Sequence, residues 1–235
     1  MRSRGASIIA VAALLSACAG TPAALRPEAA RTMETKGYLA GPLIQSLAEA
    51  TPPPPAAGSP TDLADKARSN RFRTLEDSDR WLLATAHAEL RPPLALQHFD
   101  CVLGVRLGSA ATPNLNRLMQ RLFEDSDAAA ELVKARGFRP RPVGDDPERR
   151  PCQRVSEAGR KSASYPSGSS TVATVYGEAF AALAPDRAAE IRRMAHEIGQ
   201  SRLVCGMHYP SDVAAGEDLG RVVYARAADQ PEFAT

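Results

Sequence analysis

The chain has 235 residues, of which 44% are hydrophobic, so it is long enough to bury the core of one domain. Its formal net charge is +2, and removal of the two N-terminal arginines, Arg2 and Arg4, brings that charge to 0 (2 − 2). A chain without net charge has no broad basic field to attract a polyanion, so nucleic acid is not an expected partner.

The first residues, 1–17, are predicted to be an export signal. Two arginines precede an apolar run over residues 8–15, which is too short to span a membrane permanently. The run ends Leu-Ser-Ala-Cys, which resembles the bacterial lipobox and makes Cys18 the lipidated first residue of the mature protein. Ordinary cleavage at the Ala-Cys-Ala sequence is the alternative. Both routes take the chain out of the cytoplasm, and lipidation predicts a periplasmic protein anchored to the outer membrane.

The exported part is predicted to have three regions. Residues 18–36 are rich in Ala, Pro and charge and lack periodicity, as in a tether. A single domain is expected over residues 37–228, followed by a tail over 229–235. The proline run at 52–55 must be extended and irregular, and we expect it to wrap the domain rather than divide it.

Helical spacing of apolar residues dominates the domain, and no long alternating run competes with it. Ile191, Met194 and Ile198, for example, fall on one helix face. The fold class is therefore predicted to be all-α, a compact helical domain with a helix-bundle core. The predicted helical segments lie around residues 77–90, 113–135, 170–183, 185–204 and 211–228.

Three cysteines remain if Cys18 carries lipid, namely Cys101, Cys152 and Cys205. In an oxidising compartment, one disulfide and one free thiol is the simplest arrangement, and the sequence leaves all three pairings open. The spacing of these cysteines does not indicate a zinc site.

Residues suited to holding phosphate lie in three separate segments. Lys134, Arg141 and Arg202 supply positive charge, and a guanidinium can bind two oxygens of one phosphate. Ser167 and Gly168 precede a predicted helix, where glycine allows backbone N–H groups to approach an anion. Together the segments predict a cage for a tetrahedral oxyanion.

His208 is the candidate nucleophile in this cage. One ring nitrogen can attack phosphorus if a carboxylate holds the other, and Asp212 follows four residues later. Taken singly, each of these residues is more often structural: a lone Lys or Arg is usually a solvated surface charge, and Pro-Ser-Gly is common in turns. Their joint spacing carries the functional interpretation.

Read together, Lys134 to Pro142, Pro166 to Ser169 and Ser201 to Asp212 resemble the three-part signature K-x6-R-P, P-S-G-H and S-R-x5-H-x3-D. This signature belongs to the acid phosphatase superfamily that also contains the type 2 phosphatidic acid phosphatases and the vanadium haloperoxidases. Residues 37–220 further resemble the class A bacterial acid phosphatases. The resemblance implies an all-α acid phosphatase/haloperoxidase-like fold, hydrolysis of small phosphate monoesters through a phosphohistidine intermediate, and no metal or other cofactor.

The resemblance also implies a role for each matching residue. His208 is implied to be the nucleophile, with Asp212 as its orienting partner. The implied phosphate-binding residues, which also stabilise transition-state charge, are Lys134, Arg141, Ser167, Gly168 and Arg202.

Ser169 departs from the pattern, because it stands where the family has the histidine that protonates the leaving oxygen. A positioned general acid is worth about 10²–10⁴ in rate, so aryl phosphates should be cleaved much better than alkyl phosphates unless another group supplies the proton. The remaining histidines, His87, His98 and His196, are the candidates for that substitution.

Three other functions compete with a phosphomonoesterase. A degenerate phosphatase that binds phosphate or another oxyanion without turnover is the main alternative, with Ser169 as its mark. A vanadate-dependent haloperoxidase ranks lower. A lipid phosphatase within the bilayer is disfavoured because no mature segment reaches the roughly 20 apolar residues of a span. Membrane contact is expected only through the lipid anchor, and a homo-oligomer is left open.

Overall fold

The computed structural model of the chain describes residues 37–109 and 111–233. The predicted signal peptide, the lipidation site Cys18 and the tether lie outside these residues. No strand occurs within the described ranges, so the all-α prediction is confirmed. The α-helices are α1 Gly41–Ala50, α2 Pro60–Arg71, α3 Asp79–Ala86, α4 Asp100–Leu103, α5 Pro113–Arg136, α6 Pro142–Asp145, α7 Glu157–Arg160, α8 Gly168–Leu183, α9 Ala188–Val204 and α10 Pro210–Ala228, with 3-10 helices at Phe72–Leu75, Leu94–Phe99, Pro185–Arg187 and Pro231–Phe233.

Helix α8 lies at the centre of the bundle and packs against α5, α9 and α10. It is buried around nearly its whole circumference, as expected of a helix enclosed by others, and residues 170–177 are all buried. Its neighbours each contribute one apolar face. The largest core side chains include Met119, Leu122, Val175, Tyr176, Phe180, Ile191, Ile198 and Val223.

The segment from α1 to α2 covers one side of the bundle. Residues 52–56 are irregular between these helices, as the prolines predicted. Helix α2 begins at a capping serine, since Ser59 Oγ accepts the N–H of Asp62 at 3.3 Å. Its buried residues are Asp62, Asp65 and Ser69. Because that face is polar, apolar spacing gave no prediction of this helix.

The turn between α9 and α10 sets the position of His208. Gly206 has φ of +66°, and a Cβ there would lie 2.4 Å from Arg149 Nε, so both the conformation and the space call for glycine. The preceding residue, Cys205, forms a disulfide with Cys152. Cys101 is the exposed free thiol among the described cysteines. Of the three pairings that the sequence left open, the structure therefore has Cys152 with Cys205.

Candidate active site

Residues from all three signature segments line one cleft of about 180 Å³. Helix α5 contributes Lys134, the end of α9 contributes Arg202, and the turn before α10 contributes His208. Of the predicted site residues, Asp212 and Ser167 lie behind this lining rather than in it. The complete lining comprises Leu90, Phe123, Asp127, Lys134, Arg141, Gly168, Ser169, Val172, Arg202, Met207 and His208.

The imidazole of His208 is buried and held through one nitrogen. Its Nδ1 donates to the carbonyl oxygen of Ser164 at 2.7 Å, which leaves Nε2 as the nitrogen with a lone pair. Nε2 lies 3.2 Å from Arg141 Nη1. Burial lowers the pKa of His208 well below its ordinary value, and the nearby cations Arg141, Arg202 and Lys134 add to the effect. This shift favours the neutral ring, whose Nε2 lone pair accepts an N–H of Arg141.

Asp212 reaches His208 through an intermediate residue. Its Oδ2 lies 3.9 Å from Nδ1 of His208, too far for a hydrogen bond. The same oxygen accepts the hydroxyl of Ser164 and, at 2.7 Å, the N–H of Tyr209. Ser164 thus donates to Asp212 through its hydroxyl and accepts from His208 through its carbonyl. Asp212 fixes the position of the peptide group that orients the imidazole.

Arg139 is the main counterion of this buried carboxylate. Its Nη1 donates to Asp212 Oδ1 at 2.6 Å, and its Nη2 donates to Asp62 at 3.0 Å and to Asp65 at 2.9 Å. The guanidinium also lies over the Tyr209 ring, 4.4 Å from its centroid. Burial opposes the charge, but the three carboxylates raise the pKa of Arg139 overall. One arginine therefore ties α2 to the start of α10, a role that sequence reasoning missed.

Two buried arginines in the cleft form no ion pair with a carboxylate among the described residues. Arg202 is 3% exposed, its Nε has no hydrogen-bond partner, and burial together with Arg141 lowers its pKa to about 10. Arg141 donates to Ser162 Oγ and to the carbonyl oxygen of Met207, both at 2.9 Å. A buried cation without a counterion is unfavourable, so this pair favours an anion from solution. Lys134 differs, because its Nζ lies 2.6 Å from Glu131.

The N-terminus of α8 completes the electropositive wall. Ser167 caps this helix: its Oγ accepts the N–H of Ser170 at 3.1 Å, while its own N–H donates to the carbonyl oxygen of Asp212 at 2.9 Å. The N–H groups of Gly168 and Ser169 occupy the first two helical positions and have no partner within the helix. A Cβ on Gly168 would lie 3.4 Å from Lys134 Nζ, so glycine lets the ammonium and the helix end approach one anion.

The cleft of this helical bundle combines an imidazole, three cations and a helix N-terminus. This combination is typical of the class of proteins that bind a phosphoryl group. The comparison with protein families agrees: the PAP2 superfamily profile matches residues 126–233. The acid phosphatase of Zymomonas mobilis is 36% identical over 164 residues, covering 70% of this chain and 62% of that enzyme. The non-specific acid phosphatase of Salmonella typhi is 31% identical over 185 residues, covering 77% and 73%. The chain therefore belongs to the acid phosphatases of the PAP2 superfamily, which confirms the resemblance noted from the motifs.

A solved structure supports the fold independently. The transmembrane PAP2 type phosphatidylglycerolphosphate phosphatase from Bacillus subtilis superposes with a TM-score of 0.51 at 20% identity, covering 81% of this chain and 92% of that one. At this identity the likeness concerns the fold alone. Across residues 37–109 and 111–233, none of the helices combines the length and the apolar character needed to cross a bilayer.

Proposed function

We propose that the protein hydrolyses small phosphate monoesters through a phosphohistidine on His208. The observation that carries the proposal is the held, neutral imidazole, whose Nε2 lies beside Arg141 in a cleft that also contains Arg202 and Lys134. An unprotonated ring nitrogen and cations for the three non-bridging oxygens are the two requirements of phosphoryl transfer to histidine.

The reaction is proposed to proceed in two displacements. The Nε2 lone pair of His208 forms a bond to phosphorus while the P–O bond to the organic group breaks, and the departing oxygen takes a proton. Water then attacks phosphorus, the P–N bond breaks, and His208 recovers its lone pair as inorganic phosphate leaves. An alcohol in place of water would accept the phosphoryl group instead. Burial and the neighbouring cations lower the pKa of His208 below its ordinary value, which favours the unprotonated form that the attack on phosphorus needs.

The test is hydrolysis of 4-nitrophenyl phosphate from pH 4 to 8 by the wild type, His208→Ala and Ser169→His. We expect turnover by the wild type, abolition in His208→Ala, and an equal or higher rate in Ser169→His. Mass spectrometry of the enzyme quenched during turnover should find the phosphoryl group on the peptide that contains His208. Full activity of His208→Ala would exclude the mechanism.

Ser169 favours a second candidate, a phosphate-binding protein of the same fold without turnover. This reading predicts that the wild type binds phosphate and vanadate tightly, that it is inert toward esters, and that Ser169→His does not restore hydrolysis. Calorimetric titration with phosphate beside the ester assay separates the two candidates.

The proposed location is the periplasm, with a lipid anchor at Cys18 in the outer membrane. The Cys152–Cys205 disulfide supports an oxidising compartment. In cells, a Cys18→Ser variant should lose the membrane-bound, palmitate-labelled form that the wild type is expected to give. A wild type that stays soluble and unlabelled would favour ordinary signal cleavage.

A further inference from the structure

Asp127 is the carboxyl group in the lining of the catalytic cleft. It lies on α5, three residues, or about 4.5 Å along the axis, before Ala130. Ala130 marks where α8 meets α5, because a Cβ on Gly168 would be 3.7 Å from Ala130 Cβ. Asp127 therefore lies one helical turn from the level of the α8 N-terminus, on the same cleft as Ser169. We propose that Asp127 is the general acid that protonates the leaving oxygen, in place of the family's histidine at position 169.

The charged and apolar residues of the cleft are separated, and this separation directs the leaving group toward Asp127. Its cations gather around His208, whereas Leu90, Phe123 and Val172 form an apolar wall. Phe123 lies one turn before Asp127 on α5, and Val172 lies one turn after Gly168 on α8. An ester with its phosphoryl group among the cations would place its organic part against this wall. Along α5, Asp127 lies between Phe123 of this wall and Lys134 of the cations.

The three histidines considered from the sequence are engaged elsewhere. His87 is buried with its Nδ1 2.8 Å from Ser201 Oγ, and the Nε2 of His98 lies 2.8 Å from the carbonyl oxygen of Glu89. His196 pairs with Glu217 at 2.7 Å, on α9 and α10. None of them lines the cleft. The other ionisable side chains of the lining are the cations Lys134, Arg141 and Arg202 and the nucleophile His208.

The surroundings of Asp127 suit a proton donor at acidic pH. The Asp127 side chain is exposed at the cleft, and partial loss of solvent around its carboxyl group raises the pKa of that group, as do the neighbouring Glu131 and Glu124 on α5. Lys134, also on α5, and Arg91, from the segment before the 3-10 helix at Leu94–Phe99, act in the opposite direction without reversing the shift. A carboxyl group with a raised pKa carries its proton over more of the acidic range.

The assignment rests on the proposed phosphohistidine mechanism and completes its proton balance. As Nε2 of His208 bonds to phosphorus and the P–O bond breaks, the Asp127 carboxyl proton passes to the leaving oxygen, which departs as an alcohol. The Asp127 carboxylate then takes a proton from the water that attacks the phosphohistidine. Asp127 is protonated again at the end of the cycle.

Leaving-group dependence is the measurement that tests this role. The kcat/KM values of the wild type and Asp127→Asn are compared for glycerol phosphate, whose alkoxide needs a proton, and for 4-nitrophenyl phosphate, whose phenolate does not. We expect Asp127→Asn to lose about 10²-fold on glycerol phosphate and less than about threefold on the aryl ester. Glu190→Gln is the control, because it removes an exposed carboxylate of α9 that neither lines the cleft nor acts on Asp127.

A second variant separates chemistry from structure. Ser169→His in the Asp127→Asn background restores the family's proton donor, so it should recover glycerol phosphate hydrolysis. Equal losses on both esters in Asp127→Asn, or no loss on either, would overturn the assignment while leaving the phosphohistidine mechanism intact. A wild type that hydrolyses neither ester would overturn both.

Discussion

Gly216 controls how closely α10 approaches the N-terminus of α8. A Cβ on Gly216 would lie 2.4 Å from the carbonyl oxygen of Ser167 and 3.0 Å from Ser170 Cβ. The first contact is with backbone, which cannot rotate away as a side chain can. An alanine at this position must therefore push the two helices apart.

The size of the shift follows from this distance. An ordinary C···O contact begins at about 3.3 Å, whereas the new Cβ would lie 2.4 Å from the Ser167 carbonyl oxygen. Gly216→Ala therefore requires the two helices to separate by about 0.9 Å (3.3 − 2.4). Overpacking of this kind costs about 1–3 kcal/mol of unfolding free energy. The shift also moves the N–H groups of Gly168 and Ser169 relative to His208, and a misplacement of about 1 Å can cost on the order of 10²-fold in rate.

Urea unfolding and 4-nitrophenyl phosphate kinetics measure these two effects. Gly41→Ala is the matched control, since a Cβ on Gly41 meets nothing within 4 Å. We expect Gly41→Ala to behave as the wild type, whereas Gly216→Ala unfolds at lower urea and loses kcat/KM. If both variants show the same midpoint and the same kcat/KM, the helix spacing does not control the site and the reasoning is refuted.

The other predictions concern stability. Replacing both Cys152 and Cys205 by alanine opens a loop of sequence separation 53, which should lower the unfolding free energy by about 4 kcal/mol; Cys101→Ala is the control, and equal urea midpoints would contradict the estimate. Arg139→Met leaves three buried carboxylates without their shared counterion, so we expect urea unfolding to show a loss of about 3–5 kcal/mol at pH 7. A loss below about 1 kcal/mol would show that the cluster is well solvated. Burial lowers the pKa of His87 to about 4, so the unfolded chain binds more protons than the folded chain between pH 6.5 and 4. The unfolding free energy should therefore fall by roughly 3 kcal/mol from this group as the pH falls through that window. His87→Gln should reduce the fall measured by urea unfolding, and an unchanged pH dependence would rule out the assignment.

The long helices were predictable because each buries an apolar face. The segments predicted around 113–135 and 170–183 correspond to α5 at Pro113–Arg136 and α8 at Gly168–Leu183. Helix α2 escaped prediction because its buried face carries Asp62 and Asp65, which bind Arg139. A polar face gives no hydrophobic periodicity, and only the three-dimensional partner explains why carboxylates are buried there.

Several residues of the cleft could be predicted, because the spacing of the three signature motifs identifies them in the sequence. Lys134, Arg141, Gly168, Arg202 and His208 do line one cleft. The linkage between His208 and the carboxylate was not predictable in the same way. A spacing of four residues suggested a direct contact, but a peptide group from another segment lies closer to Nδ1. The number of residues between His208 and Asp212 does not reveal that Ser164, from another segment, lies between their side chains.

In the cleft, the groups that bind phosphate differ from the group that protonates the leaving oxygen. This difference determines what the serine at position 169 changes. The α8 N-terminus offers its backbone N–H groups to an anion, and these are the same for serine and histidine. The cations Lys134, Arg141 and Arg202 come from other elements. Ser169→His should therefore leave competitive inhibition by inorganic phosphate within about threefold of the wild type, because no cage contact is lost. If inhibition instead changes by on the order of 10²-fold, the side chain at 169 belongs to the phosphate cage, and its replacement in this chain altered binding as well as proton transfer.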